Sequence, residues 1–126
     1  MSSTWRIRER SAFADLRRRG RRARSGPVSV TWLGHADAGT PPRVAYAIGK
    51  VVGGAVTRNR VRRRLQAVVA TVAADLGPGS YLVGAGPAAA DADFEGLRAA
   101  LVEALVALPA PGGLAARPGA VPAGAA

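Results

Sequence analysis

The chain has 126 residues, no cysteine and a formal net charge of +10. This length fits one domain, and a sequence without cysteine excludes disulfide bonds and thiolate metal sites. No apolar run approaches the ~20 residues of a membrane span, and the N-terminus lacks the apolar core of a signal peptide. We therefore expect a cytoplasmic protein that makes no membrane contact.

The positive charge lies in the first half of the sequence. Residues 1–64 hold 16 cations and 3 acids, whereas residues 65–126 hold 2 cations and 5 acids. A charge of +13 against −3 predicts that the first half carries a surface for a polyanion and that the second half completes the fold.

The N-terminal region begins with a basic arm, residues 1–10, followed by a short predicted helix over residues 12–19. Ser11 can cap this helix, Phe13 and Leu16 lie three apart on one face, and Gly20 ends it. The next arginines continue the positive charge into a short extended stretch.

Two strands are predicted next, over residues 27–33 and 43–48. Val28, Val30 and Trp32 form the apolar side of the first strand, as expected for a strand with one buried face. We expect the two strands to pair antiparallel across the loop that joins them. The lone histidine, His35, lies in that loop without a nucleophile or second base, so no catalytic role is predicted for it.

A long helix is predicted over residues 55–76, and its first turns are dense in arginine. Five of the residues 58–64 are arginines, and residues 38–74 contain no acid. Val61, Leu65 and later apolar residues form a single stripe at helical spacing. Like charges on one helix repel each other, and the arginine fork fits phosphate oxygens. The pattern therefore favours contact with a nucleic acid over a merely solvated face.

The end of the sequence supplies a strand, residues 81–85, and a helix, residues 94–108, capped by Asp91 or Asp93. A strand that follows a strand and a helix is expected to lie parallel to an earlier strand. The domain is predicted to end at residue 108, and residues 109–126, rich in Ala, Gly and Pro, to be disordered. The predicted fold is α+β, with one sheet of about four strands and three helices.

Two other motifs are candidates for a metal-binding site and a dinucleotide-binding loop. Asp91, Asp93 and Glu95 could form a metal-binding cluster, but they are better interpreted as favourable charge at a helix N-terminus. The residues 84–86 follow a strand as a dinucleotide-binding loop does, but the third glycine of that motif is missing. No catalytic residue and no metal ligand is predicted in the chain.

The stretch GKVVGGAVTRNRVRRRL, residues 49–65, resembles the RNR signature of the protein subunit of bacterial ribonuclease P. The similarity extends over about residues 5–108. It implies a left-handed strand–helix–strand crossover, against the general right-handed rule. It also implies the protein subunit of a ribonucleoprotein endoribonuclease, in which a large RNA with bound Mg²⁺ is the catalyst. One such protein would bind one catalytic RNA and the 5′ leader of precursor tRNA, and assist removal of the leader to make the mature 5′ end.

The resemblance also assigns residues by position. The surface facing the catalytic RNA would comprise Lys50, Arg58, Asn59, Arg60, Arg62, Arg63 and Arg64. The leader cleft would comprise Phe13, Arg17, Thr31 and Tyr46. Several positions depart from the family pattern: Arg17 and Thr31 stand where aromatic residues are common, and Val51, Gln66 and Gly86 where basic ones are. We therefore expect leader binding to depend more on charge and less on stacking.

Two alternative functions remain, a ribosomal or RNA-chaperone protein and a DNA-binding helix module. The spacing of Lys50, Gly53 and the RNR triplet argues against the first, because a generic basic protein has no reason to place Asn59 between arginines. A DNA-reading helix would carry mixed polar residues rather than arginine alone.

Overall fold

The computed structural model describes Leu16, residues 18–34 and residues 41–114. Four strands form one sheet: β1 (Arg21–Ser25), β2 (Val28–Leu33), β3 (Arg43–Ala47) and β4 (Ser80–Ala85). Two helices are fully described, α1 (Ala55–Val72) and α2 (Phe94–Ala107), with 3₁₀ turns at Ala73–Asp75 and Pro87–Ala90. The α+β class and the four-stranded sheet are confirmed.

The predicted first helix falls mostly outside the described residues. Leu16, Arg18 and Arg19 have helical backbone, and the Gly20 N–H donates to the Leu16 carbonyl at 3.0 Å. The helix therefore ends where the sequence predicts, and Leu16 is fully buried. The basic arm, Phe13 and the predicted count of three helices lie beyond what these residues test.

The strands are arranged in the order β1-β2-β4-β3. β1 and β2 form an antiparallel hairpin, β2 pairs antiparallel with β4, and β3 pairs parallel with β4. The parallel placement of the last strand is confirmed. The predicted pairing of β2 with β3 is wrong, because β4 lies between them. The first four residues of β4 are all buried, so this strand needs cover on both faces and both edges and takes a central position.

The sheet has two unlike faces. The core face carries Val30 and Val83, and both helices pack on it to form the main apolar cluster. The second face carries Thr31, Leu82 and Ala45, which are register partners across three strands. On that face Leu16, from the end of the N-terminal helical segment, packs with Leu82 and Ala45 in a smaller cluster. The core is therefore one-sided, and the second face is only partly covered by described residues.

The chain after α2 returns to the domain instead of leaving it. Leu114 is 2% exposed, and its N–H donates to the Leu105 carbonyl at 3.0 Å. The Gly113 N–H donates to the Tyr81 hydroxyl at 2.8 Å, and that hydroxyl donates to the Gly77 carbonyl at 2.6 Å. The predicted start of a disordered tail at residue 109 is therefore too early.

A glycine makes this return possible. Gly112 lies so close to the Trp32 ring that a Cβ at this position would overlap it. Composition alone favours disorder for an Ala/Gly/Pro segment, but here the missing side chain lets the backbone close over Trp32. The packed domain thus extends to Leu114, and residues 115–126 lie outside the described part of the chain.

Candidate nucleic-acid interface

The turn before α1 places a lysine at the surface. The Val52 N–H donates to the Gly49 carbonyl and the Gly53 N–H donates to the Lys50 carbonyl, both at 3.1 Å. Gly53 has φ of 149°, and a Cβ there would lie 3.1 Å from the Thr57 Cβ. Glycine is thus required for the tight turn that leaves Lys50 exposed beside the start of the helix.

The N-terminus of α1 lacks the usual compensation of its backbone groups. The N-cap is Gly54, which has no side chain to accept a hydrogen bond, and the first turn contains no acid. The free N–H groups and the positive end of the helix dipole therefore add to the arginine charges. This arrangement favours an anion at the start of the helix.

The arginines surround an apolar stripe that holds α1 on the sheet. The buried residues of α1 are Val61, Leu65, Val68, Val69 and Val72, which confirms the predicted stripe. Arg60 and Arg63 are exposed, whereas the other three arginines of the cluster are half-buried. The helix is therefore anchored along one side and presents its guanidinium groups elsewhere.

Asn59, the central residue of the RNR triplet, positions a neighbour. Its Oδ1 accepts a hydrogen bond from an Arg62 terminal nitrogen at 2.8 Å, one helical turn away. The bond restrains the Arg62 side chain and leaves the rest of its guanidinium fork available. This contact explains why an amide, which can accept a hydrogen bond from a cation, stands between two arginines.

Two arginines differ from the rest of the cluster. A terminal nitrogen of Arg64 donates to the Ala92 carbonyl at 2.8 Å and so ties α1 to the segment before α2. The Nε of Arg58 is buried and has no hydrogen-bond partner among the described residues. Arg64 thus has a structural contact that the sequence did not predict, and Arg58 retains an unsatisfied donor.

The structure separates two residues that were predicted to share the leader cleft. Thr31 lies on the second face with Leu82 and Ala45, whereas Tyr46 pairs with Val83 on the core face. Burial there raises the pKa of Tyr46 to about 12. The sequence showed the alternation within each strand but not the register that relates one strand to another, and Phe13 and Arg17 lie outside the described residues.

The described aromatic residues all belong to the core face. Trp32 is 8% exposed and its indole N–H donates to the Pro78 carbonyl at 2.9 Å. Tyr81, Tyr46 and Phe94 belong to the same apolar cluster. Within the described part of the chain, the second face therefore offers no aromatic ring for stacking.

Strand β1 adds two arginines to the second face that the sequence did not assign to a site. Arg22 is the register partner of Thr31, and Arg24 is the register partner of Ser29. Directly paired residues of antiparallel strands share a face, so both arginines belong to the second face. The signal was present in the sequence as the alternation of Arg22 and Arg24 about Ala23, which is buried.

The acidic residues near α2 serve the helix. Asp93 Oδ1 accepts a hydrogen bond from the Gly96 N–H at 2.7 Å, which selects Asp93 as the N-cap. Among the described residues, no three His, Cys, Asp or Glu side chains come together in a group that fits Mg²⁺ or another metal ion. Neither described helix is long and apolar enough to cross a bilayer.

Comparisons with known proteins converge on one family. The family model for ribonuclease P matches residues 1–108. The ribonuclease P protein component of Acidothermus cellulolyticus is 42% identical over 101 residues, which cover 79% of this chain and 83% of that protein. The corresponding protein of Streptomyces griseus is 42% identical over 109 residues, with coverage of 79% and 88%.

Solved structures agree at the level of the fold. The ribonuclease P protein of Staphylococcus aureus superposes with a TM-score of 0.74 at 19% identity, over 81% of this chain and 93% of that one. The Thermotoga maritima protein gives a TM-score of 0.73 at 17% identity, over 82% and 97%. With the match of the family model over most of the sequence, these findings show that the chain belongs to the ribonuclease P protein family, the protein component of a ribonuclease that contains RNA.

Proposed function

We propose that this protein binds the catalytic RNA of ribonuclease P and the 5′ leader of precursor tRNA, and thereby assists RNA-catalysed removal of the leader. The observation that carries the proposal is the start of α1, where an N-terminus with no side-chain cap and no acid in its first turn is followed by five arginines within residues 58–64. A polyanion compensates both features at once, because its phosphates accept hydrogen bonds from the guanidinium and the backbone N–H groups.

The docking surface for the catalytic RNA comprises the exposed side chains at the start of α1 and in the turn before it. The side chains of Lys50, Arg60 and Arg63 are exposed and lie outside the core. The Arg62 side chain is oriented by its hydrogen bond to Asn59. Arg64 acts as a positioning residue, since its bond to the Ala92 carbonyl fixes the helix relative to the rest of the domain. The Arg64 contact therefore fixes the helix in place, while the exposed side chains carry the positive charge of the surface.

Arg58 supports the same assignment through its unsatisfied donor. A buried N–H without a partner costs about 1–3 kcal/mol, so the RNA-free conformation of this side chain is not its best one. A change of rotamer that pairs Nε and a terminal nitrogen with one phosphate would remove this cost. RNA binding and the relief of a local defect would then be the same event.

The second face of the sheet is the proposed site of the leader. It is only partly covered by described residues, and Arg22 and Arg24 give it positive charge. Thr31 lies on it, while Trp32 and Tyr46 are turned to the core face. Phe13 remains the proposed stacking residue, and charge supplies most of the remaining leader affinity.

Catalysis is assigned to the RNA partner. Mg²⁺ is proposed to be bound mainly by that RNA, as the resemblance to the ribonuclease P family implies. The role of this chain is to neutralise phosphates, hold the leader and keep the two RNAs together. Its arginines would in this way lower the Mg²⁺ concentration that the ribonucleoprotein needs.

The direct test is cleavage of a precursor tRNA by the same organism's catalytic RNA, with and without this protein, at a few millimolar Mg²⁺. We expect the protein to restore cleavage at the mature 5′ end. Binding to the catalytic RNA without restored cleavage would contradict the leader part of the proposal. Failure to bind that RNA at low salt would contradict all of it.

A further inference from the structure

A cavity of about 340 Å³ opens where the β1–β2 turn meets the end of β4. Its lining comprises Arg22, Arg24 and Ser29, the turn at Gly26 and Pro27, and residues 85–88. The Gly86 N–H donates to the Pro27 carbonyl at 2.8 Å and holds the two walls together. This backbone hydrogen bond holds the β1–β2 turn against the end of β4 whatever rotamers the lining side chains adopt.

The charge of this cavity comes from one strand. Arg22 and Arg24 alternate with Ala23, whose side chain enters the core, so both guanidinium groups project from the same side of β1. None of the described residues that line the cavity carries a carboxylate. Glu103 of α2 does contact β1: its carboxylate accepts a hydrogen bond from the Ser25 hydroxyl at 3.1 Å. Ser25, however, alternates to the core face of the strand. The two cations therefore face a cavity whose described walls contain no acid.

The rest of the lining is small and largely apolar. Pro27, Val28, Ala85, Pro87 and Ala88 supply flat or short side chains, and the Ser29 hydroxyl adds one polar group. Sites for small organic ligands combine an apolar lining with a few convergent polar groups and begin at roughly 300 Å³. A cavity at this lower limit suits a single nucleotide and is too small for a duplex.

We propose that this cavity holds one nucleotide of the single-stranded leader, with its phosphate between Arg22 and Arg24 and its base against the proline and alanine walls. The inference deepens the proposed function and rests on it. It adds a defined pocket, distant in sequence from the arginines of α1, at the hairpin end of the second face. Because no described aromatic ring lies on that face, this pocket is the described site best suited to hold an unpaired base.

The first test compares three variants that lose the same charge from the same strand. In the assembled ribonucleoprotein, Arg22→Ala and Arg24→Ala should each weaken binding of precursor tRNA about fivefold and leave binding of mature tRNA within about twofold. Arg21→Ala is the matched control, because Arg21 pairs with Trp32 and alternates to the core face. An equal effect of all three variants would overturn the pocket.

The phosphate itself is tested with a modified leader. A neutral methylphosphonate is placed at successive leader linkages, and we expect one linkage at which Arg24→Ala no longer matters. The slope of log affinity against log salt should also fall by about 0.7 for each lost single-strand contact. If no linkage removes the difference between Arg24→Ala and the unaltered protein, the assigned contact is wrong.

A measurement without the catalytic RNA separates this inference from the proposed function. The full-length protein, labelled with ¹⁵N, is titrated with a short single-stranded oligoribonucleotide, with a duplex of the same sequence, and with inorganic phosphate. The amides of Gly26, Ser29 and Ala88 should shift with the single strand more than with the duplex. Shifts as large with inorganic phosphate as with the single strand would show a simple anion site and contradict the nucleotide proposal.

The outcomes are distinguishable. If the unaltered protein supports no cleavage of precursor tRNA, the proposed function fails whatever the pocket binds. If it supports cleavage but the three amides do not move at saturating oligonucleotide, only the pocket is wrong.

Discussion

The two helices of this small domain begin in opposite ways. α2 has an N-cap, Asp93, whose side chain accepts a backbone N–H, and it has Glu95 in its first turn. α1 begins at Gly54 with no side-chain cap and no acid, and arginines occupy its first turns. α2 follows the rules of helix stability at its start and α1 violates them, although both pack on the same core face.

The difference indicates which helix is built for stability and which for binding. Violations of local rules without a compensating partner inside the protein tend to mark functional sites. α2 buries six residues, and Asp93 and Glu95 place negative charge at its N-terminus. α1 leaves the compensation of its charges and free N–H groups to a ligand, which is why the RNA-free structure is expected to be less stable than the complex.

The sharpest test of this comparison removes the exposed charges at the start of α1. The triple variant Lys50→Ala, Arg60→Ala, Arg63→Ala should weaken binding of the catalytic RNA about 1000-fold, with each lost phosphate contact contributing about tenfold. The midpoint of thermal unfolding should not fall, because none of the three side chains is packed.

The charge-matched control is Arg21→Ala, Arg43→Ala, Arg98→Ala. Filter binding at fixed salt measures both triple variants. An equal loss in the control would show that total charge, and not the start of α1, determines the affinity.

The next largest effect concerns the segment after α2, which packs back onto the domain. Leu114→Ala should lower the free energy of unfolding by about 2–4 kcal/mol, because it leaves a cavity at a site that is 2% exposed. Val51→Ala, at a position 70% exposed, should change it by less than about 0.5 kcal/mol. Urea unfolding measures both variants. Equal small losses would mean that the segment after α2 does not pack as described.

The caps offer a mirrored pair of changes. Asp93→Ala should cost about 1 kcal/mol of stability through loss of the Gly96 N–H bond, and binding of the catalytic RNA should not change. Asp93→Asn, which retains an accepting oxygen, is the control and should recover most of the loss. A change in RNA affinity with Asp93→Ala would contradict the idea that α2 serves stability and α1 serves binding.

The opposite change is made at the start of α1. Gly54 has ordinary helix N-cap geometry, with φ of −72°, and nothing lies within 4 Å of an added Cβ. Gly54→Asp should therefore stabilise the free protein by about 0.5–1 kcal/mol and weaken RNA binding by a few-fold. Gly54→Ser is the uncharged control. A variant that gains stability without losing RNA affinity would contradict the idea that the empty cap serves the ligand.

The last test concerns what the two helices share, an apolar core face from which water is excluded. Burial raises the pKa of both Tyr46 and Tyr81 to about 12. The folded state therefore keeps both phenols protonated where the unfolded chain loses their protons near pH 10. The contribution of these two groups to stability is constant below about pH 10 and is lost as the pH rises toward 12. Absorbance at alkaline pH measures the titration. If either phenol ionises near pH 10 in the folded protein, that tyrosine is not buried in the core.

Much of this architecture follows from local pattern. The stripe of Val61 and Leu65 and the alternation of β2 are set by near neighbours, and the sequence predicts them. It also predicts an aspartate cap for α2, and the structure selects Asp93 over Asp91. The RNR stretch points to the family because its residues are specific in type and in spacing. The left-handed sense of the crossover rests on the family resemblance alone and stays a prediction.

The features that the sequence does not predict are contacts between residues far apart in the chain. Strand order depends on which strand needs cover on every side, and the loop between β2 and β3 says nothing of β4. The separation of Thr31 from Tyr46 depends on register across β4. The bond from Arg64 to the Ala92 carbonyl and the burial of Leu114 join residues that no sequence window contains together.

The position of β4 also governs when this protein can fold. The central strand is the last of the four to be synthesised, so β2 and β3 cannot be joined until residues 80–85 have been added. The hairpin of β1 and β2 can form early, but the rest of the sheet depends on contacts between residues far apart in the chain, which slow folding. A nascent chain truncated before β4 would therefore display its basic half without a completed sheet, and only the acidic second half would convert that charge into a shaped surface.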